Sequence, residues 1–346
     1  MHGPPPSRAL RPPRTWPVAV TGGALLALVA LASVGFGIIA VPWSTVAGDL
    51  LAAVGLGGAA SDDHIVIVNL RLPRALGASC VGGALGTAGC MLQALLRNPL
   101  ASPTVIGTAQ GAMFGAVLAI ALGLSRAGTL ATSFTMSVGA VTLVLGMART
   151  RRALPVESVV VTGMAVALMF MALARLLLAV TRDEYALGRM TQWLAGGLWH
   201  ANWDELRMLA PLTVIGVVVA CACARSLDLL ALGEADAHRL GLRVRRVGTV
   251  VLVGSCVLTS LAICIGGMVA FVGLIVPHAC RRLVGPTHAV LLPASASLGA
   301  MLVVVTDTVA RTAVPPQELP LTVVTSLVGV PSFLVILRAL RGRRQG

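Results

Sequence analysis

The sequence predicts an all-α protein: a polytopic transmembrane bundle of about ten helices with cytoplasmic termini. Three observations carry this. Of 346 residues, 57% are hydrophobic and only 11% charged, where an ordinary soluble domain carries roughly 25% charge. The apolar residues gather in runs long enough to cross a bilayer, which takes about 20 residues of helix. The arginines collect between those runs, in alternate connections, as residues that set topology do. Disorder, a disulfide scaffold and a collagen-like fibre are excluded, because the chain is too apolar, its seven Cys are scattered and its 38 Gly follow no triplet period.

Along the chain, residues 1–17 contain six Pro and three Arg and read as a solvated cytoplasmic tail. The apolar run from Val18 to Val41 exceeds the roughly 7–15 residues of a signal-peptide core and lacks a clear small-residue cleavage site, so it reads as a retained span. Further runs lie near 75–96, 104–124, 128–147, 156–180, 208–224, 248–267, 268–283, 289–310 and 320–340. The seventh and eighth abut at Gly266 and Gly267. Residues 18–340 thus form one transmembrane domain, followed by a basic cytoplasmic tail over 341–346. Gly82, Gly83, Gly86 and Gly89 predict helices that approach closely, since small residues let backbones meet in lipid.

Orientation follows from charge. Eighteen of the 26 arginines lie in the N-terminal tail, the connections 97–103, 148–155, 225–247 and 281–288, and the C-terminal end. These segments are therefore expected on the cytoplasmic side, where Arg and Lys accumulate.

The composition also excludes several chemistries. The 26 basic residues are all Arg. Without Lys there is neither a P-loop nor a Schiff base, so the chain is no ATPase and no lysine-dependent enzyme. The net charge of +13 is spread over the connections rather than gathered in one patch, which argues against nucleic acid. The six His lie in different connections and spans, and no metal site or cofactor is expected. An intramembrane hydrolase would need a nucleophile elbow or paired intramembrane carboxylates, and neither appears. His278 is expected at a cytoplasmic helix end beside Arg281 and Arg282. Asp307 lies four residues from Arg311, a spacing that permits a helix-face ion pair. Within the spans the ionisable residues are essentially Arg175 and Asp307. So few charges argue against a proton- or sodium-coupled carrier and for transport driven from elsewhere.

The longest cytoplasmic connection, 225–247, alternates Leu229, Leu232, Ala235, Ala237 and Leu240 with charges and is broken by Gly233 and Gly241. It reads as a short amphipathic helix pair, lying on the membrane surface or docking a partner protein.

Four stretches in order then resemble one family, the iron-siderophore, haem and cobalamin importer permeases of the binding-protein-dependent ABC class. The first runs from Arg71-Leu-Pro-Arg74 through Gln93, Arg97-Asn-Pro-Leu-Ala101, Pro103, Gly107 and Gly111. The second is Leu232-Gly-Glu-Ala with Leu240-Gly241. The third is Phe271 to His278 with Arg281, and the fourth is Asp307, Arg311, Glu318-Leu-Pro320, Gly329, Pro331 and Phe333. Departures from the family pattern are Leu321 for Val, Thr322 for Gly, Ala270 before the Phe-Val-Gly-Leu run, and Gly197 for Ser in the segment Trp193–Trp203.

The resemblance implies a subunit of the bacterial plasma (inner) membrane with no covalent chemistry. It would work with ABC ATPase subunits, an extracytoplasmic substrate-binding protein and a second copy or related permease, most readily for a ferric siderophore, with haem, cobalamin or a metal ion as alternatives. Leu232, Gly233, Glu234, Ala237, Leu240 and Gly241 would form the segment that couples to the ATPase. Arg71, Arg74 and Arg311 would face outward to pair with carboxylates of the binding protein, where headgroup anchoring is the plainer reading. Asn98, Pro99 and Leu100 would border the inner gate, at a turn that Asn-Pro also favours locally.

Overall fold

The computed structural model describes residues 15–37, 41–53, 55–56, 61–148 and 156–342. The N-terminal tail up to residue 14, the arginines at 149, 151 and 152, and the last four residues lie outside them, so the expectations placed there have no structural counterpart.

The described residues form helices α1 (Thr15–Gly35), α2 (Trp43–Ala53), α3 (Leu72–Leu95), α4 (Thr108–Ala121), α5 (Arg126–Ala148), α6 (Val156–Val180) and α7 (Glu184–Ala195). They continue with α8 (Trp203–Ala222), α9 (Ala224–Leu232), α10 (Glu234–Arg239), α11 (Val244–Gly266), α12 (Val272–Val284), α13 (His288–Thr312) and α14 (Leu321–Gly342). A π-helical turn, Ile65–Arg71, leads into α3, and a 3-10 turn, Pro103–Ile106, precedes α4. No strand is present among the described residues; the one β-type contact is an isolated bridge between Val314 and Gln317.

Every apolar run of the sequence is carried by a helix. Among the described residues seven helices are long and apolar enough to cross a membrane: α1, the π-turn with α3, α5, α6, α8, α11 and α13. Two more apolar segments, Thr108–Ala121 and Leu321–Leu334, are shorter, and α12 spans 13 residues with Pro277 inside it. The first helix ends at Gly35, earlier than its apolar run. The join at Gly266-Gly267 is a real break, because Gly267 takes φ +63°, a left-handed conformation that ends α11. Two helices, α2 and α7, fall where the sequence has no long apolar run.

The bundle is built around α3. Its glycines meet the backbones of its neighbours. A Cβ on Gly82 would stand 2.0 Å from the carbonyl oxygen of Gly299 in α13, one on Gly86 2.3 Å from that of Ser295, and one on Gly89 1.9 Å from that of Gly273 in α12. Lipid offers no hydrophobic gain for helix association, so contacts of this kind supply cohesion through dispersion and interhelical hydrogen bonds instead. The same device joins α4 to α5, where a Cβ on Gly115 would lie 2.4 Å from the Thr132 carbonyl oxygen. Ser133 Oγ donates to the Ala112 carbonyl (2.8 Å), and Ser137 and Ser260 hydroxyls bridge α5 and α11 at 2.6 Å. Many Leu and Val side chains of α1, α6 and α8, among them Leu28, Leu168 and Val218, are exposed, the pattern expected where lipid is the solvent.

Candidate functional site

The connection 225–247 does form a helix pair. α9 lays Leu227 and Leu230 against the bundle, and α10 buries Ala237. Between them Gly233 has φ +115°, which an L side chain rarely adopts, so the chain turns there without the strain that any other residue would bring. Gly241, at φ +84°, ends α10 the same way. Leu232 and Leu240, each 61% exposed, stand at the two ends of α10 with Glu234 also exposed between them. Two large aliphatic side chains and a carboxylate are thereby presented on a projecting segment. A cavity of about 790 Å³ lies beside it, lined by Arg97, His238, Arg243, Arg245 and Arg246.

The turn after α3 lies close by. Arg97 takes φ +47°, and its Nη1 lies 3.4 Å from where a Cβ on Gly233 would be. Asn98 closes the turn locally: its Oδ1 accepts from the Leu100 amide at 2.9 Å and its carbonyl from the Ala101 amide at 3.1 Å. Asn98, Pro99 and Leu100 are all exposed. Buried Gln93 anchors the turn, since its Nε2 reaches the carbonyls of Ala101 (3.4 Å) and of Leu274 in α12 (3.1 Å) while its Oε1 accepts from Arg281.

At the other end of the bundle the arginines are arranged differently from the expectation. Arg71 and Arg311 are 5% and 4% exposed and point inward. Arg71 Nη1 donates to the carbonyls of Val34 (3.0 Å) and Gly35 (3.3 Å), and Arg311 Nη2 to the carbonyl (2.6 Å) and hydroxyl (2.8 Å) of Ser33. Both therefore hold the last turn of α1, whose carbonyls have no intrahelical partner. Arg74 sits between two carboxylates. Nε and Nη2 donate to Asp307 at 2.9 Å each, while Nη1 and Nη2 reach Glu318 at 2.9 Å each. The ion pair that spacing allowed between Asp307 and Arg311 is a marginal 3.9 Å contact, because Asp307 is taken by Arg74. For Arg74 to pair with a partner protein's carboxylate, Asp307 or Glu318 would first have to let go.

A second feature of this end of the bundle left no mark in the sequence. Arg126 forms a two-pronged pair with Glu205, at 2.5 and 3.0 Å, and lies over the Trp193 ring at 4.6 Å. The two residues are 79 positions apart and belong to no shared motif, so only the fold joins them. They border a cavity of about 390 Å³ that also takes in Arg189, Gln192, Trp199 and His200. Burial, together with the positive charge of Arg126, holds His200 below the ordinary imidazole value.

The departures from the family pattern are absorbed. Thr322 Oγ1 donates to the Met268 carbonyl at 2.6 Å, and the Leu321 amide to that of Gly196 at 3.0 Å, so the start of α14 is fastened rather than loosened. Gly197 donates its amide to Gly266 at 2.9 Å and has the Trp199 ring against it. Among the described residues no three His, Cys, Asp or Glu converge as metal ligands would.

The helical bundle with several membrane-capable helices is shared with the ABC transporter permeases. Residues 25–339 match the FecCD transport family, and the chain belongs to it. Members are permease subunits that carry no ATPase of their own. The chain is 37% identical over 277 residues (80% of this chain, 74% of the relative) to the cobalamin import system permease protein BtuC of Halobacterium salinarum. It is 34% identical over 316 residues (91% and 96%) to the Fe(3+) dicitrate transport system permease protein FecD of Escherichia coli. With the hemin transport system permease protein HmuU of Yersinia pestis it shares 32% over 330 residues (93% and 95%). A solved structure described as a metal-chelate type ABC transporter in an inward-facing conformation superposes with TM-score 0.83 at 30% identity, covering 93% of this chain and 99% of that one.

Proposed function

We propose that the chain is the permease of an ABC importer for a ferric siderophore, crossing the bacterial inner membrane ten times with both termini in the cytoplasm. Two permeases, identical or related, enclose the pathway. A separate ATPase subunit seats on each helix pair, and an extracytoplasmic binding protein delivers the chelate to the opposite end. Arg71, Arg74 and Arg311 keep that outer end in shape from within, and Arg74 turns to the binding protein only by exchanging one of its carboxylates.

The observation that supports this reading most is the helix pair, with Leu232 and Leu240 exposed on either side of α10 and Gly233 and Gly241 turning the chain. Exposed aliphatic side chains on a short projecting helix fit an apolar cleft in a partner. ATP-driven closure of the partners draws the two helix pairs together and rocks the bundles between outward- and inward-open states. The inner turn Asn98-Pro99-Leu100 lies beside the same segment and narrows the exit of the pathway.

Affinity purification of the tagged chain from its native membrane tests this directly. The parent should bring down an ATPase subunit, and Gly233→Trp, which places a bulky side chain where φ is +115°, should not. Recovery of no ATPase with either protein under gentle extraction would instead favour a carrier that works alone.

A further inference from the structure

At the end of the bundle that carries the helix pair, a cavity of about 900 Å³ opens between the last turn of α3, the C-terminal half of α12, the start of α13 and α9. Arg97, Arg281 and Arg282 line it, together with His278 and His288. No carboxylate does among the described residues, and none of the three arginines forms an ion pair there. Two other arginines that are not fully exposed are matched by carboxylates, Arg74 by Asp307 and Glu318 and Arg126 by Glu205, while Arg71 and Arg311 are held mainly by carbonyls of α1. Here half-buried Arg281 and the exposed Arg97 and Arg282 line one cavity without a carboxylate among its walls.

The walls are held in place. Arg281 donates to Oε1 of Gln93, which is itself buried and fixed to the carbonyls of Ala101 and Leu274. His288 is buried, with its Nδ1 2.7 Å from Asp228 Oδ1, and its Nε2 has no hydrogen-bond partner among the described residues. The Nε2 of His278 is likewise unmatched. Unpartnered buried nitrogens are uncommon and costly, and a concave, uncompensated group of cations raises the local concentration of anions. Arginine's planar fork suits the oxygens of phosphate, which it contacts in pairs.

We propose that this cavity is a binding site for a phosphate-bearing anion, either the headgroup of an anionic lipid or free phosphate. Filling it would neutralise the cations that lie between the inner turn at 97–101 and the helix pair. Because the site is formed by this chain alone, the test needs no ATPase and stands apart from the transport reading.

The purified full chain in detergent is titrated with dihexanoyl phosphatidylglycerol, dihexanoyl phosphatidylcholine and inorganic phosphate, with native mass spectrometry and the thermal midpoint as readouts. Phosphatidylglycerol should bind saturably and at least tenfold more tightly than phosphatidylcholine. Binding should weaken at least tenfold in Arg281→Gln/Arg282→Gln. The second variant, Arg97→Gln/Arg282→Gln, leaves the Gln93–Arg281 contact intact and should show the same loss with an unchanged unliganded midpoint. Phosphatidylglycerol binding without phosphate binding identifies a headgroup site, and saturable phosphate binding lost in both variants identifies a free-anion site. If neither ligand binds in a way that the second variant weakens, the proposal is overturned and the cavity's charge is left for the carboxylates of a protein partner.

Discussion

One guanidinium, that of Arg74, satisfies two carboxylates at once, and Asp307 is nearly as buried as any residue in the chain. Removing one partner of a buried ion pair leaves the other uncompensated and costs about 3–5 kcal/mol. Arg74→Met should therefore lower unfolding stability by about that much, read as a fall in the thermal midpoint in detergent. Arg74→Lys should recover only part of it, since a point charge cannot bridge both carboxylates as a planar fork does. The sequence marks Arg74 as suited to a carboxylate, but its partners lie 233 and 244 positions away and only packing reveals them. Arg71 and Arg311 mislead for a related reason: a residue at the outer end of a helix can point into the bundle as readily as out of it. His200 carries a pH consequence. Its pKa in the folded chain lies below the ordinary 6.5, so the unfolded chain binds its proton more readily and stability falls as pH drops through that ordinary value towards the lowered one. His200→Gln should flatten this part of the midpoint-versus-pH curve.

Among the elements, α3 is the one least tolerant of change. Gly82→Ala puts a carbon 2.0 Å from the Gly299 carbonyl oxygen, a backbone atom that cannot swing aside. That substitution should reduce folded yield and thermal midpoint severely. Gly139→Ala in α5, with nothing within 4 Å, should leave both near parental values or raise them slightly. Fluorescence-detected size exclusion with a fused reporter distinguishes the two. The clustered glycines of α3 were visible as a close-approach signal, although which helices approach was not. The α9–α10 pair was legible because apolar spacing and two glycines agree. α2 and α7 were not, because 11 and 12 residues of mixed polarity give no apolar run and owe their helical state to what they rest on.

For the molecule as a whole, apolar run length is a strong signal and placed each long helix, whereas surfaces meant for other chains are written only in part in this one. Orientation can be measured directly. The seven native Cys are buried or half-buried, so Leu240→Cys should be the main site reached by a membrane-impermeant maleimide. Labelling should occur in inside-out vesicles and not in right-side-out ones. Labelling from the opposite side would invert the topology and with it the assignment of the helix pair to the ATPase. The backbone contacts of α3 with α12 and α13 bear on how such a molecule can move. Where carbonyl oxygens rest on glycines there are no side chains to repack, so sliding has no alternative set of contacts to fall into. That part of the bundle must travel as one solid block. Shape change is left to joints outside that block, such as the bend at Gly233, where a Cβ would meet only the end of the Arg97 side chain.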